Sequence, residues 1–65
     1  LTDLQRARLS ELAIKLREVA RRTGPMHSWW DTIGDIEAVV QGHKPVFEQS
    51  AEDWIVQAEQ MLRET

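Results

Sequence analysis

Two breaks, Gly24-Pro25 and the stretch from Gly42 to Pro45, cut this chain into three segments, and each segment repeats its apolar residues with the period of a helix. Glycine readily takes the left-handed backbone that ends a helix and proline cannot continue one, so both breaks read as stops. No stretch alternates apolar and polar residues with period two, and the β-branched residues are scattered through helical patterns, which argues against strands. The chain is therefore expected to be all-α, a small three-helix bundle forming a single helical domain over residues 1–65.

The first helix is expected over residues 3–22, with Thr2 as N-cap and Gln5 in the position that returns a hydrogen bond to it. Leu1, Leu9, Leu12, Leu16 and Val19 share one stripe, with Ala13 and Ala20 beside them. Ser28 followed by Asp31 predicts a second helix over 29–41, with Thr32 and Asp35 as a rival start. Trp29, Ile33, Ile36 and Val40 form its inner face, flanked by Trp30 and Val39. Gly34 in its interior weakens it by up to about 1 kcal/mol, unless it permits a close helix approach. Ser50 and Asp53 predict a third helix over 51–63, with Ala51, Trp54, Ile55, Ala58, Met61 and Leu62 inward. Pro45 at the first helical position is the alternative start. If the helix does not reach back that far, Val46 and Phe47 are expected to form an apolar lid in the connection.

A chain of 65 residues buries only about 60% of the surface its unfolded form exposes, so a partner surface would add stability. It has no cysteine, which excludes disulfides and thiolate metal sites and favours a reducing, cytoplasmic setting. Three tryptophans and one phenylalanine are the largest sources of apolar burial. No apolar run approaches the roughly 20 residues that cross a bilayer, so no membrane association is expected. An opening Leu1 in place of methionine reads as a processed or excerpted chain.

Charge divides the sequence. Residues 1–24 carry six basic side chains against three acidic ones, a net of +3, and the remainder carries two against eight, a net of −6. Arg8, Lys15 and Arg22 line one edge of the first helix's apolar stripe, while Glu48, Glu52 and Glu59 line an edge of the third. Packing the two edges together would be complementary. Glu11 with Lys15 and Glu18 with Arg22 add ordinary helix pairs worth about 0.2–0.5 kcal/mol each.

Chemistry finds little footing. His27 and Asp31 stand four apart, with His43 and Glu48 elsewhere, but a transition-metal site needs three or four ligands in fixed geometry. There is no nucleophile and base pair, no Gly-rich phosphate loop and little room for a pocket, so no enzyme activity, cofactor or metal is expected. Leu4 and Ile14 project away from the first helix's main stripe, Val56 does so on the third, and Trp30 is turned 100° from Trp29. These four residues are the candidate partner interface. The expected role is a non-enzymatic docking, adaptor, regulatory or oligomerisation module that binds another protein or itself, a homodimer included. The alternative is a small nucleic-acid-associated regulator in which Arg6, Arg17 and Arg21 of the basic first helix contact phosphates.

Overall fold

The computed structural model describes residues 1–24 and 28–64. They form three helices, α1 (Asp3–Thr23), α2 (Trp29–Val40) and α3 (Ala51–Arg63), packed as an all-α bundle. Pro25 and His27, which the sequence reading singled out, lie outside the described residues. No helix among the described residues is long and apolar enough to cross a membrane.

Each helix boundary has a local cause. The Thr2 hydroxyl accepts the N–H of Gln5 at 3.1 Å while the Gln5 side-chain oxygen accepts the N–H of Thr2 at 3.0 Å, the expected reciprocal cap. Gly24, at φ 109°, ends α1 one residue later than expected. The Ser50 hydroxyl accepts the Asp53 N–H at 3.1 Å and starts α3 there, so the longer helix from Pro45 does not form. α2 stops at Val40, one residue short of the expected end. Gly42 takes φ 80°, and its N–H and that of His43 close back onto the carbonyls of Val39 and Ala38 at 3.2 and 2.8 Å. The start of α2 departs from the prediction. Ser28 has helical backbone angles and its side chain makes no capping bond, while Asp35 of the rival pair is engaged elsewhere.

Helix order follows from who meets whom. Arg8 pairs with Glu59, and Gln5 borders the same groove as Glu52 and Ile55, so α1 and α3 run parallel. Arg17 pairs with Glu37, while Ser10 lies beside Gln41, so α2 runs the opposite way. The α1 backbone runs close to both neighbours, whereas those of α2 and α3 approach each other at few points and meet through side chains of the shared core.

The core reflects that arrangement. α1 supplies Leu9, Leu12, Ala13, Leu16 and Ala20, α2 supplies Ile33 and Ile36, and α3 supplies Trp54 and Ala58. Trp29, Trp30, Val39, Val40, Ile55, Met61 and Leu62 pack around this centre while keeping some exposure. Leu1, expected on the core stripe, is exposed instead: it precedes the Thr2 cap, so helical phase does not extend to it.

Candidate functional site

Among the described residues apolar side chains reach the surface at several places, and the expected interface residues are divided among two of them and a helix end. The first is the groove between α1 and α3. Gln5, Glu52, Ile55 and Val56 line an open space of about 350 Å³. One helical turn further along the same seam, Arg8 donates to Glu59 at 2.7 Å and to Glu11 at 3.0 Å. Val56 lies one turn before Glu59 and lines this groove, while Leu4, one turn before Arg8 on α1, stands outside its lining. Leu4 is 81% exposed and Val56 56%.

Charge complementarity across this seam is as anticipated for Arg8 and Glu59 and not for the rest of the two edges. Lys15 turns back to Glu11 at 3.1 Å, within α1, and Glu48 is reached by Lys44 at 3.5 Å, within the connection. The hydrogen bond to Glu59 is the largest reason that the Arg8 guanidinium is held more firmly protonated than usual. The hydrogen bond from Lys15, reinforced by the charges of Lys15 and Arg8, holds the Glu11 carboxyl below its ordinary range.

The second surface is a smaller cleft between α1 and α2, about 190 Å³, lined by Ser10, Ala13, Ile14, Arg17, Glu37, Val40 and Gln41. Ile14 is exposed at its edge, and the Arg17–Glu37 ion pair spans it. Ile14 therefore belongs to a different face from Val56. Trp30 belongs to neither: it is partly buried, packs on the core, and its indole N–H donates to the carbonyl of Gly24 at 3.4 Å. Trp29 also packs at the margin of the core, and the deeply buried tryptophan is Trp54.

The third feature is the connection before α3, which covers the core at Phe47 and not at Val46. Val46 is 97% exposed, and Phe47 stands edge-on to Trp54 with ring centroids 6.5 Å apart while leaving about half its surface to solvent. Asp35 holds this segment by accepting the N–H groups of Val46 and Phe47 at 3.1 and 3.3 Å. Sequence reasoning took Asp35 for a helix-start residue. The signal it passed over was an acidic residue on α2 within reach of a Pro-led apolar dipeptide.

No protein-family model, curated protein or solved structure matches this chain. Its own geometry is therefore the guide. Of the three arginines considered for nucleic acid, Arg6 and Arg21 are exposed and Arg17 is tied to Glu37. Among the described residues no group of three His, Asp or Glu side chains is placed to hold a metal ion.

Proposed function

We propose that this chain is a non-enzymatic protein-interaction module, serving docking, adaptor or oligomerisation through helical faces built around α1. The observation that carries this reading is an apolar surplus. Among the described residues nine buried side chains already make a continuous core, yet Leu4, Ile14 and Val56 remain outside it. Single exposed apolar residues are common, but Val56 lines a groove with Ile55, Gln5 and Glu52, and the Arg8–Glu59 pair lies one turn along it, the arrangement of an apolar centre with a polar rim. A cysteine-free composition supports a cytoplasmic setting as part of the same proposal. Engagement of Arg17 by Glu37 and the acidity of α2 and α3 count against a phosphate-binding role for α1.

Photo-cross-linking in the native cell tests this reading. A benzoyl-phenylalanine placed at Leu4, Ile14 or Val56 is expected to give a discrete protein adduct that excess wild-type chain suppresses. The same probe at exposed Gln60 should give none. Absence of adducts at all three apolar positions would overturn the proposal.

A further inference from the structure

A cleft between α2 and α3 carries an inference that stands apart from the protein-interaction reading. Thr32 and Asp35 of α2, Phe47 and Gln49 of the connection, and Trp54 and Gln57 of α3 line an open space of about 310 Å³. We propose that this cleft binds a small neutral molecule carrying an amide, lactam or urea group, whose carbonyl oxygen accepts the indole N–H of Trp54.

That N–H is the observation pointing to a ligand. Trp54 is 2% exposed, and its indole nitrogen finds no acceptor among the described residues. A buried donor without a partner is costly, so a molecule that supplies an acceptor recovers the cost when it binds. The rest of the lining sets the kind of molecule. The Gln49 amide donates to the side-chain oxygen of Gln57, which leaves the Gln49 oxygen able to accept and the Gln57 amide able to donate. A ligand that both accepts and donates, as an amide does, matches this set. An anion would meet the Asp35 carboxylate with no lysine, arginine or histidine in the lining to balance it. A cation would bring no acceptor to Trp54. Phe47 and Trp54, at 89° to each other, add apolar wall for a flat group. Entry requires the Phe47 ring, half exposed and edge-on to Trp54, to turn aside from the indole.

The test titrates the intact chain with 2-pyrrolidinone and follows the three tryptophan indole N–H groups by proton–nitrogen NMR. The Trp54 indole proton is expected to move downfield to saturation, while those of Trp29 and Trp30, which do not line the cleft, stay in place. Gln57→Ala should raise the dissociation constant about fivefold, the loss of one ordinary hydrogen bond, with helicity unchanged. An unchanged constant in that variant would overturn the amide pairing. A shift that never saturates, or one shared by all three indoles, would mark a co-solvent effect and overturn the site. A Trp54 proton that lies downfield from the outset and ignores the probe would show the N–H already bound to solvent, and would overturn the site as well. None of these failures touches the cross-linking experiment at Leu4, Ile14 and Val56.

Discussion

The carboxylate of Asp35 accepts the backbone N–H of Val46 at 3.1 Å, tying the middle of α2 to the connection that leads into α3. Its second oxygen takes the N–H of Phe47, so one side chain fixes the approach to α3 and the seat of Phe47 against Trp54. Asp35→Ala is expected to cost about 1 kcal/mol, the net value of a typical hydrogen bond, because these bonds are solvent-accessible. Amide exchange at Val46 and Phe47 should accelerate while that of Leu12 and Leu16 keeps pace only with the global loss. Unchanged exchange at Val46 and Phe47 would show that the clamp does not order the connection.

Gly34 sits within α2 with nothing near the position a β-carbon would occupy. It serves no close helix approach. Gly34→Ala should therefore stabilise the fold by about 0.5–1 kcal/mol through helix propensity alone. Urea denaturation should show a higher midpoint with an unchanged slope.

Trp54 is buried to within 2% of its surface, yet its indole nitrogen finds no acceptor. Trp54→Ala should cost about 3–5 kcal/mol, the range for emptying a large aromatic site. Trp54→Phe should cost less than half as much, since it keeps a ring against Phe47 and removes an unpaired buried donor. Denaturation followed by circular dichroism compares the two, and equal losses would show that the N–H is satisfied in solution.

Glu11 gives the chain an acid dependence with a definite sign. Its carboxyl is held below the ordinary 4.5, first by the hydrogen bond from Lys15, then by the charges of Lys15 and Arg8. A folded-state value lowered in this way contributes stability that is present above pH 4.5 and lost as pH falls through the folded value. A carboxyl carbon titration by NMR should place the Glu11 midpoint below 4.5, and Lys15→Ala should move it upward. A wild-type midpoint at 4.5 or higher would contradict the geometry.

What could be read in advance follows the range of the forces involved. Helix identity, the Thr2 and Ser50 caps and the Gly42 stop are short-range, set by residues within a few positions of one another, and the sequence displays them directly. Leu9, Leu12, Leu16, Ile33, Ile36, Trp54 and Ala58 were legible as core because helical period fixes their shared face. Ser28 misled because a capping residue type does not enforce capping backbone angles. Asp35 was misread because its partners are amides eleven and twelve positions away, and amides carry no residue label. The division of the expected interface has the same origin. Leu4, Ile14, Val56 and Trp30 are alike in lying off the inward stripes, but only the directions of α1, α2 and α3 reveal that Val56 lines the α1–α3 groove, Ile14 the α1–α2 cleft, and Trp30 neither.

Because the α2 and α3 backbones come close at few points, the bundle is built mainly from two seams sharing α1. During synthesis, α1 and α2 can close as a hairpin before α3 has emerged, leaving one long edge of α1 waiting. α3 is then the last piece seated. Whatever bridges α1 and α3, as the Arg8–Glu59 pair does, therefore acts as a latch on that seam.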